Sequence, residues 1–487
     1  MDAFTTRPMK IVIIGGGTSG WMTAAALCNH TEHEITMIDG GNPIGVGEST
    51  TPHINQYLKF MGITDEQMIT QARATYKLSS RFVDFNEEGT VFHYPNGQNI
   101  SGDVTFQRWM VAQAYAEPPP FAEVMMPFTT VVEGGRLPLN TELLGTFDLN
   151  HDRAFHIDAK AFSDYLRSRF CENITVVDSK VKSVRTSQRG ISSVMVDRGP
   201  YDAGPKTITG DLYIDCSGAE AVALGPLSPW SPFQNLINDR ALVTTIDYTD
   251  RDTEMMPYTN AQGMSAGWQW TIPTLDYISK GYVFSSKHQS EEDARKEFGY
   301  DDARLIQFES GRRIHAWQGN CVGIGMAFGF IEPLESTSLF NTGQGILALV
   351  RLLKNDETGA FARDRYNKDV SDHLDGWREF VEAHYYYSKR RDTPYWVEVT
   401  EDIHYSGGAH DVVMDMMVHT HEVEHGKDPI VFILAGHGHT CVDTRKDEFF
   451  NERPHIPDVL RWWKKHDTIC KTEFPTMNSF ISSRFPT

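Results

Sequence analysis

The hydrophobic pattern of this chain starts with a short apolar run. From Met9 the sequence reads MKIVIIGGGTSGW, apolar positions that stop on glycines, and Trp-Met-Thr-Ala-Ala-Ala-Leu follows. A run of that length, closed by glycine and then by good helix formers, predicts a buried strand, a tight turn and a helix over Gly20 to His30. A second apolar run, Glu34 to Ile38, predicts the next strand and ends on Asp39. Strand, helix and strand in that order make a βαβ unit of an α/β fold.

Later segments extend the pattern. Ile54 to Leu78 has helical spacing and predicts helix, ending in Ala72 to Leu78. Phe155 to Leu166 reads as a turn into an amphipathic helix, and Ile174 to Val184 alternates as strands do. Pro118-Pro119-Pro120 marks a loop. Gly210 to Ala219 is a strand running into a small-residue turn, of the kind that returns a two-domain flavoprotein to its dinucleotide domain. In Gly267-Trp268-Gln269-Trp270-Thr271-Ile272-Pro273 a strand would project both tryptophans from one face, as core packing or as a wall for a planar ring system. Asn320 onward predicts a buried strand, a loop bearing Glu335 and Ser336-Thr337-Ser338, and a helix over Leu339 to Leu353. Amides ahead of that helix could hold an anion, or Ser336 or Ser338 could simply cap it. The last third clusters its aromatics (His384 to Tyr387, Tyr395-Trp396, Phe449-Phe450, Trp462-Trp463) and reads as mainly helical with long loops.

The glycines carry the first chemistry. Gly15, Gly17 and Gly20 are spaced G-x-G-x-x-G: the first for the turn, the second for backbone approach to a pyrophosphate, the third for close helix–strand packing. Asp39 lies about 20 residues on, where an acid meets a ribose hydroxyl. The bland alternative is a βαβ turn with no ligand; the helix, second strand and acid together favour a dinucleotide. Gly45 to Gly47 would let backbone contact a flat ligand. Lys77 is unremarkable by pattern, because most lysines are solvated surface groups.

Composition narrows the partners. A formal charge of −20 over 487 residues argues against nucleic acid and anionic membrane. No apolar run approaches the roughly 20 residues of a membrane helix, and Met1 to Lys10 shows no secretory apolar region, so a cytoplasmic protein is expected. Six scattered cysteines without C-x-x-C spacing suit free thiols. His419, His421, His425, His437 and His439 lack a recognised ligand pattern, so no metal is expected.

These signals converge. The glycine turn followed by Trp21, the GVGES loop, H-x-D-A-x-x-F at His156 to Phe162, GWQWTIP, FIEPLEST and HYYYSKRRDTPYW occur in the order found in one family. The chain resembles the flavin-dependent tryptophan (indole) halogenases over nearly its full length, with GWQWTIP the most specific motif. The resemblance implies a Rossmann-like FAD-binding domain of the flavin monooxygenase type over residues 1–350, and a largely helical, aromatic-rich substrate and lid module over 351–487. It implies FADH2 supplied by a separate NAD(P)H-dependent flavin reductase, with O2 and halide as co-substrates. A flavin hydroperoxide would oxidise halide to hypohalous acid, which reaches Lys77 and halogenates a free aromatic small molecule by electrophilic substitution. Whether Lys77 hydrogen-bonds the oxidant or becomes a haloamine is left open. Glu335 would orient Lys77 or the oxidant and accept the arenium proton. Thr337 and Ser338 match the pair whose amides hold halide. Trp268 and Trp270 would wall the flavin from the substrate, and Gly15, Gly17, Gly20, Asp39 and Ser49 would hold FAD.

One position departs from the family pattern. Thr-Gly is usual where this chain has Thr337-Ser338, so a Cβ and a hydroxyl border the halide site and the halide preference is open. Gly323, Gly325 and Gly329 are spaced one residue too widely for a second dinucleotide fingerprint, which argues against direct reduction by NAD(P)H. The alternatives are an FAD monooxygenase on the same fold, which predicts oxygenated product without halide dependence, and a flavin-binding regulatory or storage protein, which predicts no oxidant. The aromatic surface admits a homo-oligomer.

Overall fold

The computed structural model describes residues 8–41, 47–97, 109, 120–139, 147–197, 206–403, 430–439 and 474–486. The middle of the GVGES loop before Gly47, Pro118-Pro119, His419, His421, His425, Phe449-Phe450 and Trp462-Trp463 lie outside them. By internal contacts the chain divides into two units of three segments each. The first comprises Met1–Ala74, Ile157–Gln234 and Phe308–Trp377; the second comprises Thr75–His156, Asn235–Gln307 and Arg378–Thr487.

A six-stranded sheet organises the first unit, in the order Trp317–Gln318, Cys321–Gly323, Leu212–Asp215, Lys10–Ile14, Glu34–Ile38 and Thr175–Val177. All its neighbours are parallel except the antiparallel edge pair Trp317–Gln318 with Cys321–Gly323. Ile11 to Ile14 are all buried, which is why the strand reads as a continuous apolar run rather than an alternating one. The helix Thr18–His30 follows and is buried continuously from Gly20 to Leu27, between the helices Ala159–Phe170 and Ser338–Lys354. A three-stranded antiparallel sheet (Val181–Ser187, Gly190–Val196, Lys206–Ile208) packs Ile191, Val194 and Ile208 against Val12, Ile38 and Tyr213. The strand Leu212–Asp215 returns the chain beside Lys10–Ile14, as its sequence suggested.

The helix expected over Ile54 to Leu78 is three elements instead. Ile54–Met61 ends at Gly62 in the left-handed region (φ 68°), and Thr64 opens Asp65–Thr70 with a capping box completed by Gln67. Arg73 then takes a positive φ of 52°, and Thr75–Lys77 is a strand. Helical periodicity survives this because turn and cap occupy only a few residues; glycine and a Thr-x-x-Gln pair are the stop and start signals. Lys77 therefore sits on a strand, where its side-chain neighbours lie two residues away rather than three or four.

A seven-stranded sheet organises the second unit: Arg304–Gln307, Arg240–Ile246, Ile278–Phe284, Gly267–Pro273, Thr259–Met264, Ser79–Val83 and Val91–Pro95. Only Thr259–Met264 with Ser79–Val83 is parallel. The segment after Tyr387 is tied to this sheet: Trp396 Nε1 donates to Met264 O (2.8 Å), Thr393 Oγ1 to Ser265 O (2.7 Å) and Arg390 to Asp84 O (2.8 Å). Arg390 also stacks 4.4 Å from the Trp396 ring. The described helices of the last third are Ala360–Tyr386, Pro394–Val397, Ile430–Gly436 and Met477–Arg484, with a short π-helix at Glu398–Asp402. No described helix is long and apolar enough to cross a membrane.

Candidate active site

In the first unit, a cradle forms around the glycines. Gly15 adopts φ 111°, and a Cβ there would fall 2.3 Å from Cys216 O, so the turn lies directly against the end of the returning strand. A Cβ at Gly20 would fall 1.8 Å from Gly15 O, which demonstrates the close helix–strand packing that position serves. Gly17 is the helix N-cap and a Cβ there would meet nothing within 4 Å: the backbone faces open space. Free amides at the start of Thr18–His30 favour an anion in that space. The cradle thus fits a dinucleotide pyrophosphate.

Asp39 stands beside this turn. A Cβ at Gly16 would fall 2.0 Å from Asp39 Cγ, so Gly16, which the fingerprint leaves free, is needed for the acid to sit there. Burial raises the Asp39 carboxyl above its usual range; the charge of Arg167 opposes this and Asp178 adds to it. Glu48 lies in the short strand Gly47–Ser49. Desolvation pushes it up to about 7, against a hydrogen bond with the Thr18 side chain. Ser49 is half-buried beside it. Neither Gly16 nor Glu48 belongs to the fingerprint spacing; the middle glycine of the GGG run and the acid in GVGES were the available signals. Asp215, wholly buried, closes the back of the cradle by accepting from the Ser217, Ala223 and Leu224 amides at 3.0, 2.8 and 2.7 Å.

The loop carrying Glu335 belongs to the same unit. Pro333–Glu335 forms one 3-10 turn, with Glu335 3% exposed, and Ser336 takes φ 59°. A left-handed non-glycine residue costs about 1–2 kcal/mol, and here it swings the chain so that Thr337 and Ser338 open the helix Ser338–Lys354. Thr337 is the N-cap, and its own side chain makes no capping hydrogen bond. Thr342, one turn further on, lies 3.4 Å from Ser19, and a Cβ at Gly325 would fall 2.3 Å from Ser19 Oγ. The helix that the Glu335 loop opens therefore packs its Thr342 beside Ser19, at the start of the helix that follows the glycine turn.

Lys77, Trp268 and Trp270 belong to the second unit. Lys77 is 1% exposed, and its carbonyl accepts from Asn96 Nδ2 at 2.9 Å. Its strand pairs antiparallel with Ala154–Asp158, Thr75 facing His156 and Lys77 facing Ala154. Thr75 Oγ1 lies 2.5 Å from Pro273 O and 3.3 Å from His156 Nδ1, and His156 Nε2 lies 2.9 Å from Thr259 Oγ1. His156 is fully buried; desolvation first, and the Lys77 charge second, hold it well below its usual pKa, so the ring is neutral.

The tryptophans share one face as the strand period requires, with ring centroids 6.1 Å apart. Their room comes from small cross-strand neighbours. Trp270 faces Ala261 and Gly281, and Trp268 faces Gly263 and Val283. A Cβ at Gly281 would fall 2.1 Å from the Trp270 ring. Trp270 Nε1 donates to Ser279 Oγ at 3.3 Å, whereas Trp268 Nε1, buried, meets no acceptor among the described residues.

Known proteins match this architecture. The tryptophan halogenase family profile matches residues 10–453. A tryptophan 6-halogenase, SttH from Streptomyces toxytricini, is 31% identical over 429 residues, covering 80% of this chain and 81% of that protein. The solved apo structure of VirX1 superposes with a TM-score of 0.89 at 32% identity, over 99% of this chain and all (100%) of that one. BrvH, a flavin-dependent halogenase from Brevundimonas sp. BAL3, gives 0.84 at 27% identity, over 98% and 99%.

Proposed function

Since the chain belongs to the tryptophan halogenase family, we propose that it halogenates a free, electron-rich aromatic small molecule of the indole or tryptophan class. The protein is a flavin-dependent halogenase, an oxidoreductase that uses FADH2, O2 and halide. Enzymes of this class take reduced flavin from a separate reductase and act on an aromatic substrate. In our reading the reductase is NAD(P)H-dependent and both proteins are cytoplasmic. Residues 1–350 serve FAD and face the substrate, and 351–487 form the lid.

Bound FADH2, with O2 and halide, supplies an electrophilic halogen. The chain's residues do the rest. Gly15, Gly17 and Gly20 admit the pyrophosphate to the helix amides, Asp39 takes the ribose and Ser49 lies alongside; Trp268 and Trp270 offer an aromatic face to the flavin. The Thr337 and Ser338 amides hold halide. Lys77 donates a hydrogen bond to hypohalous acid, or carries the halogen as a haloamine, and so sharpens its electrophilicity. Glu335 accepts the proton that leaves the ring carbon when the halogen has bonded there.

The observation that carries this reading is Lys77, a cation 1% exposed in a protein that also holds a glycine turn with room for a pyrophosphate. Buried lysines are rare and need a purpose. The test is a mass-spectrometric screen with FAD, NADH and a flavin reductase, offering indoles, phenols and tryptophan with chloride, bromide or iodide. Halide-dependent substitution is expected. Oxygen insertion without halide dependence would replace the reading with a monooxygenase. Glu335→Gln should slow halogenation about 100-fold or more with FAD binding intact; wild-type turnover would remove Glu335 from the mechanism.

A further inference from the structure

We propose that His156 is a positioning residue for Lys77, fixing the lysine's strand through a directed chain of hydrogen bonds that joins four strands. The inference rests on the reading of Lys77 as the halogenating lysine.

Register puts the two side chains on one face. Thr75 and Lys77 are two apart on their strand and project the same way, facing His156 and Ala154 respectively. His156 is thus the diagonal neighbour of Lys77, and the small Ala154 leaves room beside the lysine stem. The direction of the hydrogen bonds follows from valence. The Pro273 carbonyl can only accept, so Thr75 Oγ1 spends its proton there (2.5 Å) and must accept from His156 Nδ1–H (3.3 Å). That leaves the Nε2 lone pair to accept from Thr259 Oγ1 (2.9 Å). One neutral tautomer satisfies every link, and a change in the ring would release Thr75, two residues from Lys77.

The chain spans Thr75, His156, Thr259 and Pro273, the last residue of the strand that bears Trp268 and Trp270. Thr75, His156 and Lys77 are each no more than 1% exposed and Thr259 is 4% exposed, so water cannot substitute for a lost link without opening the core. The groups acting on the ring are the Thr75 and Thr259 hydroxyls, the Pro273 carbonyl and the Lys77 ammonium. Burial and the ammonium both disfavour an imidazolium and outweigh the carbonyl's opposite pull. A neutral ring leaves Lys77 as the cation of this face.

The experiment uses the full chain with FAD, a flavin reductase, O2, bromide and indole, and reads brominated product per flavin reoxidised. His156→Leu should bind FAD and reoxidise it at the wild-type rate while the product ratio falls at least tenfold. His156→Asn, whose amide can still donate toward Thr75, should recover at least a third of the wild-type ratio. Thr259→Val, which removes the Nε2 partner, should lower it two- to threefold. A wild-type ratio in folded His156→Leu, or an Asn variant no better than Leu, would overturn the proposal. If His156→Leu does not fold, His156→Asn and Thr259→Val decide: both at the wild-type ratio would overturn it, and a graded loss would support it. Lys77→Met in the same assay separates the two claims. Product retained there would remove the lysine's role and this inference with it; product lost there, with His156→Leu unaffected, would remove the inference alone.

Discussion

The two candidate regions are built on opposite principles. Around Gly15 to Gly20 the site is made of backbone and missing Cβ atoms, within one strand–turn–helix segment plus Asp39 and the end of a second strand. Around Lys77 it is made of side chains from separate strands, each placed by pairing with residues far away in sequence. The first kind of site tolerates few substitutions and, beyond Asp39 and the strand that ends against it at Cys216, needs little of the rest of the chain. The second depends on the whole unit being correctly folded, and each of its links can be weakened by degrees.

Four substitutions or conditions test that contrast. Lys77→Ala should lower halogenation on the order of 100- to 1,000-fold, the scale of removing one group that stabilises developing charge, while flavin reoxidation continues; product detected by mass spectrometry at the wild-type level would break the distinction. Gly20→Ala forces a methyl group into contact with Gly15 O. Overpacking of this sort costs about 1–3 kcal/mol, so FAD titration by fluorescence should show binding weakened roughly tenfold or more. Unchanged FAD affinity would show that the cradle can yield.

A smaller effect is expected at Glu48. Its carboxyl is half-ionised near pH 7, and its negative charge above that pH repels a pyrophosphate. Wild-type affinity for FAD should fall a few-fold as pH rises through 7, and Glu48→Gln should flatten the curve. A wild-type curve that is already flat would count against it. The smallest effect is on acid stability. His156 and His437 are neutral in the fold, with pKa values held well below the ordinary value of 6.5. The unfolded chain binds more protons below about pH 6.5, so stability should decline as pH falls from there, by at most about 1.4 kcal/mol per group per pH unit. Chemical denaturation of His437→Phe at pH 5 and 7 should show a shallower decline than wild type.

The same contrast explains what the sequence made legible. The glycine fingerprint could be read because its constraints are local: an open Cβ position at 17, a clash at 20 and an acid at 39 all follow from spacing. Trp268 and Trp270 could be read as one face because strand periodicity is also local, although the small partners Ala261, Gly263 and Gly281 that make room for them emerge only from register. The break in the expected helix at Gly62 and Thr64 was written in turn and cap chemistry that the apolar period concealed. Thr259 carried no signal at all. Nothing near it in sequence marks it as the donor to His156, 103 residues away.

The sheet that holds the cradle has a consequence for how the protein is made. Lys10–Ile14 is synthesised early, but its neighbour Leu212–Asp215 arrives about 200 residues later and Cys321–Gly323 later still. At roughly 5–20 residues per second, the ribosome needs about 15 to 60 seconds to deliver the third of these strands. Until Leu212–Asp215 arrives, the nascent chain carries the apolar run Ile11 to Ile14 with one edge unmatched, and the glycine turn has no Cys216 carbonyl to rest against. Flavin therefore cannot assist the earliest stages of folding. Yield in a cell should respond more to translation speed and to chaperones that shield the first strand than to added riboflavin.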